Sequence, residues 1–191
     1  EDLEGIHLEY LRVGANLIET DTFGASPLRL KEFDFSKFDP SDLKAIPNQL
    51  DIKTCSLESL TLQLNIEGCR IAKRAIEKYR AESDYDGRPL YVAGSIGPSN
   101  YVVSSTQANL NKGTFDQIVD NFYYQVLGLI EGGADVLLIE TQQDILETKA
   151  IIEGANKAFA EKKTRLPVIV QATVDVFSKM QIFNTDIHAA Y

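Results

Sequence analysis

The stretch Val136-Leu137-Leu138-Ile139-Glu140 constrains the fold more than any other. An unbroken apolar run of strand length fits a strand buried on both faces, as in parallel sheets. Helical patterns flank it. Thr114-Phe115-Asp116-Gln117 reads as a capping box, a hydroxyl followed three residues on by an amide. The helix it opens carries Ile118, Phe122, Val126, Leu129 and Ile130 on one face and stops at Gly132-Gly133. Asp144-Ile145-Leu146-Glu147 opens the next helix in a capping-box-like way, with Asp in the usual place of Ser or Thr, and that helix runs to about residue 160.

The same alternation covers the rest of the chain. Residues 2–13 predict a helix with Leu3, Ile6, Tyr10 and Val13 as its apolar face and Gly14 as its stop. A short strand follows over 15–20. A helix over 57–80 carries Leu57, Leu60, Leu64, Ile71, Ala75, Ile76 and Tyr79, and a strand over 90–93 ends at Gly94. A fourth strand spans 167–173, with a short helix or loop beyond it. Helix-strand units at this spacing predict parallel strands joined by right-handed crossovers.

An open doubly wound sheet and a closed barrel both satisfy that order. An internal echo favours the barrel. Gly14-Ala15-Asn16-Leu17-Ile18-Glu19-Thr20 resembles Gly133 to Thr141: a helix stop, an apolar strand, then Glu-Thr. No G-x-G-x-x-G follows a strand, so a dinucleotide fold loses support. The expected fold class is α/β, a parallel (β/α)8 TIM-type barrel of which about half is present. Half a barrel exposes two sheet edges, closed either by missing chain or by self-association with a second copy.

The 191 residues suffice for one domain with a real core. A net charge of -9 argues against phosphate-neutralising contact with nucleic acid and against a polybasic membrane contact. No apolar run approaches the ~20 residues that span a bilayer. The acidic start, without Met, is neither a signal nor a transit peptide and suggests a chain that begins inside a longer protein. Cys55 and Cys69 stand far apart without clustered His, which makes neither a zinc knuckle nor a disulfide framework; a reducing cytoplasm fits.

In a parallel barrel the chemistry lies beyond the C-terminal strand ends. Four places qualify: residues 19–25, 94–100, 140–144 and 173–175. Glu140 is the sharpest candidate. A carboxylate ending an apolar strand needs a cation, either a substrate ammonium or a neighbouring Lys or helix N-terminus. Asp144 reads as a helix cap. Gly97-Pro98 is first a turn and second a place where backbone could approach a ligand. Glu19 can be structural. His7 and His188 read as surface residues, and no Ser-His-Asp arrangement or phosphate-cradling loop is visible.

Taken together, these strand-end motifs resemble the homocysteine methyltransferase family. GANLIETDTFGAS (14–26) looks like its second-strand motif. YVAGSIGPSN (91–100) looks like its third, and the GPSN ending is closest to the cobalamin-dependent methionine synthase branch. Residues 123–152 are similar to the fourth helix-strand-helix stretch, and LPVIVQATVD (166–175) resembles the fifth strand. The resemblance implies that the whole chain, 1–191, is a fragment of one homocysteine-binding (β/α)8 barrel holding strands two to five.

Such barrels hold zinc through a cysteine after strand six and an adjacent pair after strand eight, and Cys55 and Cys69 match none of these. The implied chemistry is activation of homocysteine as thiolate, then methyl transfer from methylcobalamin to give methionine. The partners implied are homocysteine and the folate and cobalamin modules of the same parent. Residue by residue, Glu140 falls on the glutamate that binds the homocysteine amino group. Thr22, Phe23, Gly97 and Thr173 fall on positions lining the site, and Asp21 stands where Asn is usual.

Residues 31–56 form an insertion, with Phe33, Phe35 and Phe38 among Asp and Lys. It fits a lid or docking surface as well as a loop packed on its own aromatics. After the fifth strand, Ser178-Lys179-Met180-Gln181-Ile182-Phe183-Asn184 replaces the usual glycines. A cobalamin-independent enzyme using betaine or S-methylmethionine, and a non-catalytic half-barrel that binds or assembles, remain alternatives.

Overall fold

The computed structural model describes residues 2–37, 51–104, 111–180 and 183–190. Phe38 and the rest of 38–50, half of the 31–56 insertion, lie outside them, as do Gln181 and Ile182.

The helix-strand alternation is present as α1 (Asp2–Arg12), β1 (Leu17–Glu19), α3 (Leu57–Arg80), β2 (Tyr91–Ile96), α4 (Phe115–Gly132), β3 (Val136–Gln142), α5 (Ile145–Lys162) and β4 (Val168–Ala172). A short α2 (Pro27–Leu30) follows β1, and a short α6 (Ile187–Ala190) ends the described residues. The strands form one four-stranded parallel sheet in chain order, β1-β2-β3-β4. A doubly wound sheet reverses its strand order at a switch point. This one does not, which is the order of a barrel wall.

Period-two alternation gives the sheet two unlike faces. Ile18, Val92, Ile96, Leu137 and Ile139 point toward the helices and join two apolar clusters with Leu11, Tyr79, Phe122, Val126 and Ile151. On the other face Ala93, Val136 and Leu138 make a small cluster of their own. Tyr91 on that face is 49% exposed and Ile169 42%. Among the described residues helices cover one side only; the other is the concave wall of a partial barrel.

Local chemistry sets the boundaries. Thr114 and Gln117 make the full capping box, and Gly133 ends α4 at φ 89°. Gly14, at φ 109°, ends α1 as glycine should. Gly94 does not end β2 but lies inside it. A Cβ there would come within 2.8 Å of the Leu129 side chain, so the residue marks where α4 presses on the sheet. β3 runs past Glu140 to Gln142, through Thr141 at φ 59° and a register shift against β4.

Three further expectations fail. The buried face of α1 is Glu4, His7 and Leu11, while Ile6, Tyr10 and Val13 are exposed. The helix leans on α3 through ion pairs from Glu4 to Arg74 and Lys78, which hold the Glu4 carboxyl below its ordinary range. Leu3, Ile6 and Tyr10 face an open groove along β1 instead. His7 is buried rather than on the surface, and burial lowers its pKa against the opposing pull of Asp21. In α3, Leu64 is exposed while Thr61, Asn65 and Gly68 are buried, because small and polar residues line its crossing with α4 and the β1 loop.

That crossing anchors the β1 loop. Asn65 Nδ2 donates to the carbonyls of Ala25 and Thr61, Leu28 N donates to Asn121 Oδ1, and Gln125 Nε2 donates to the Thr22 carbonyl. Helix packing is equally close at α4 and α5, where a Cβ on Gly154 would fall 2.7 Å from the Val119 carbonyl oxygen. Gly154→Ala sets two effects against each other. Helix propensity favours Ala by about 1 kcal/mol, while overpacking against backbone costs about 1–3 kcal/mol. The expected outcome is net destabilisation, read as a lower denaturation midpoint with an unchanged slope.

Candidate active site

Parallel strands bring their C-terminal ends to one rim, so the residues after β1, β2, β3 and β4 meet there. Glu140 shares the parity of Val136 and Leu138, so it faces the concave side rather than the helices. It is half-buried, and Ser95 Oγ donates to its Oε1 at 2.5 Å. Glu19, on the same face of β1, lies close enough for the two carboxylates to repel. Partial loss of water and then the Glu140 charge raise the Glu19 pKa. Glu140 is paired here with a hydroxyl donor and faces a second acid, an arrangement that a cationic group would relieve.

A hydrogen-bonded knot fixes the β1 and β2 ends to each other. Ser95 N donates to Thr20 Oγ1 at 3.0 Å, Thr20 and Thr22 share a hydroxyl bond of 2.6 Å, and Thr22 Oγ1 donates to the Ser95 carbonyl at 2.8 Å. Thr22 is thus fully buried and spends its hydroxyl on the frame. Phe23 is 38% exposed, with its ring over Gly97. A Cβ at Gly97 would stand 2.6 Å from that ring, and Gly97 N donates to the Phe23 carbonyl at 3.0 Å. Gly97 therefore makes room for the Phe23 ring, a side chain of the protein itself rather than a ligand.

Asp21 is exposed beside His7 and Glu19 at the mouth of the groove along β1. Thr173 is half-buried, and its N donates to the Gln142 carbonyl at 2.8 Å. The rim thus gathers Glu140, Phe23, Gly97 and Thr173 around the strand ends. Thr22 lies beneath them and Asp21 to one side.

Sequence reasoning missed Ser95, although it lies inside the 91–100 motif two residues from Ala93 on the same face. It also misassigned Glu147. No capping box forms at α5: Asp144 caps Leu146 N at 2.9 Å, and Glu147 turns away to take Ser99 N at 2.8 Å and Ser99 Oγ at 2.5 Å. Glu147 is only 3% exposed. Burial raises its pKa to about 7 against the lowering effect of the two Ser99 bonds, and Asp144 raises it further.

The cysteines lie apart. Cys55 is in the loop before α3, while Cys69 is buried beneath α4, its thiol directed at the Leu129 carbonyl at 3.6 Å and its pKa pushed up to about 12 by burial. Among the described residues no three of His, Cys, Asp and Glu come together as a metal site. Cys55 and Cys69 each lack the companion ligands that a zinc site needs, so the described residues do not fit that metal.

The family model described as homocysteine S-methyltransferase matches residues 1–191. The metallated form of the homocysteine methyltransferase MmuM from Escherichia coli is similar in structure, with a TM-score of 0.70 and 23% identity over 98% of this chain and 56% of that one. Its oxidised form gives a TM-score of 0.68 at 22% identity, over 97% and 55%. The chain spans about half the length of these structures.

A carboxyl whose folded pKa is raised binds its proton more tightly in the native state, so stability falls as pH rises. Glu147 should contribute fully below about 4.5 and lose its contribution as pH climbs to about 7. Glu147→Gln removes this titration. The stability difference, wild type minus variant, should shrink by about 3 kcal/mol across that window, as measured by denaturant unfolding at stepped pH. A flat difference would remove the burial reading of Glu147.

Proposed function

Because the chain belongs to the homocysteine S-methyltransferase family, we propose that it supplies the amino-acid-binding wall of a barrel that methylates homocysteine. The observation that carries this reading is Glu140, a half-buried carboxylate on the concave rim, held by Ser95 and without a cationic side chain bonded to it among the described residues. An α-ammonium group placed there would neutralise Glu140 and ease its repulsion with Glu19.

Binding of that kind orients the sulfur. The homocysteine sulfur, as thiolate, attacks the methyl carbon; the new C–S bond forms as the methyl leaves its donor with the electron pair remaining on the donor. The residues of this chain bind and position, and none of them is assigned the task of deprotonating the sulfur. Fixing the ammonium end converts a bimolecular encounter into an oriented one, the largest gain a binding wall can offer. Phe23, its ring over Gly97, adds an apolar side chain to the rim.

The finer reading follows the 91–100 motif. We propose a cytoplasmic parent of the methionine synthase branch, with methylcobalamin as donor, folate and cobalamin modules elsewhere in the parent, and zinc held by cysteines other than Cys55 and Cys69.

Two outcomes test this. In the full-length protein Glu140→Gln should weaken homocysteine binding about tenfold to hundredfold and leave the zinc content unchanged by metal analysis. Equal affinity in calorimetric titration would remove Glu140 from the site. The 191-residue chain by itself should retain no stoichiometric zinc after dialysis; one-to-one retention would overturn the placement of the metal outside it.

A further inference from the structure

We infer that Glu147 is a positioning residue: through Ser99 it ties the loop after β2 to the first turn of α5 and so sets Gly97 and Phe23 against Glu140. This deepens the reading of the rim as a homocysteine site and rests on it.

The tie is made of named bonds. Both donors of Ser99, its N–H and its hydroxyl, converge on the single oxygen Oε1 of Glu147, at 2.8 and 2.5 Å. The Ser99 hydroxyl also accepts from Tyr101 N at 3.1 Å, which closes the loop on itself. Asp144 repeats the pattern farther along. Its Oδ1 takes the Ser104 hydroxyl at 2.5 Å and its Oδ2 takes Ser104 N at 3.0 Å. Residues 99 and 104 are thus both held by acids of one helical turn. Both acids are 3% exposed.

An N-terminal glutamate in this position can satisfy its own helix by bonding back to the N-cap N–H. Glu147 does not, and spends its carboxylate on a different element. In its ionised form, above about pH 7, Glu147 is a charged acceptor, and hydrogen bonds to such a group are about twice as strong as neutral ones. The raised pKa is the cost of keeping that acceptor buried, and it agrees with a group held for its contacts rather than its solvation.

From Ser99 the constraint passes to the rim. Gly97 N bonds to the Phe23 carbonyl, and the Phe23 ring lies where a Cβ of Gly97 would be. On the other side, α5 starts directly after β3, the strand that carries Glu140. Glu147 therefore links the lip of the site to the strand bearing its carboxylate, without facing the concave interior itself.

The test uses the full-length protein with Glu147→Ala, Glu147→Gln, Ser99→Ala and the Glu147→Ala/Ser99→Ala double variant. Hydrogen exchange across residues 97–104, homocysteine affinity by calorimetry and zinc by metal analysis are read together. Glu147→Ala should speed exchange at the Ser99 and Tyr101 amides and weaken homocysteine about tenfold, with zinc retained. Glu147→Gln, which keeps an acceptor oxygen, should fall between. The double variant should be little worse than Glu147→Ala alone, since both remove one interaction.

Unchanged affinity in Glu147→Ala, or losses that simply add, would overturn the inference. Should Glu147→Ala fail to fold, Glu147→Gln and Ser99→Ala decide by the same two readings. If the wild type binds no homocysteine, the functional reading fails and exchange alone judges the tie. Acceleration confined to 97–104 then sustains it, and unchanged exchange removes it.

Discussion

Parallel pairing of β2 with β3 sets Ser95 opposite Leu138 and lets its hydroxyl reach the carboxylate of Glu140. That contact depends on register alone. A slip of one residue would turn Ser95 and Glu140 toward the helices, where their neighbours would be Leu137, Ile139 and Phe122. A carboxylate placed there without a cation would cost several kcal/mol. The apolar run from Val136 to Ile139 therefore does two things. It fixes the register by burying Leu137 and Ile139 completely, and it delivers Glu140 to the opposite face at the strand end.

The frame around this contact is built from hydroxyls and amides rather than charge pairs. Thr20, Thr22 and Ser95 close a knot between the β1 and β2 ends, and Gln125 reaches from α4 to the Thr22 carbonyl. Each is buried, so each bond operates in a low dielectric where its loss would leave an unsatisfied group. The geometry requires helices that come close. Gly128 and Gly132 leave no room for a Cβ against α3, whose Asn65 reaches the Ala25 carbonyl and anchors the same loop. Small residues in the helix crossings are thus part of what holds the rim.

The backbone order was legible because it rests on local rules. Thr114 and Gln117, Gly14 and Gly133 act on their own neighbours, and apolar periodicity located every main strand and helix within a few residues. What escaped depends on partners distant in sequence. Leu3, Ile6 and Tyr10 form a genuine helical stripe, but Glu4 outcompetes them for the α3 side through Arg74 and Lys78, a choice no window of α1 contains. Glu147 obeys the capping-box spacing and then bonds to Ser99, 48 positions away. Gly94 looked like a strand end because the side chain it makes room for, Leu129, is on α4. The candidate site was legible as motifs at strand ends. Thr22 was expected to line the site, but it lies beneath the rim, and its role as frame emerges only from the bonds of its hydroxyl.

Among the described residues one face of the sheet carries the helices, and the consequence for the site is direct. Tyr91, Ile169 and the upper end of Glu19 stand open on the concave side, and the Leu3, Ile6 and Tyr10 stripe borders a groove along the outer edge of β1. A parallel sheet is stable when both faces are covered and its edges are paired. Cover on the concave side would also dehydrate Glu140 and Glu19. In water their repulsion is screened; in a closed interior it would grow severalfold as the local dielectric falls. An uncompensated pair of acids would then oppose closure, whereas a bound ammonium group would favour it. On the reading proposed for Glu140, the same two carboxylates would couple ligand binding to cover of the concave side, because each would lower the cost of the other.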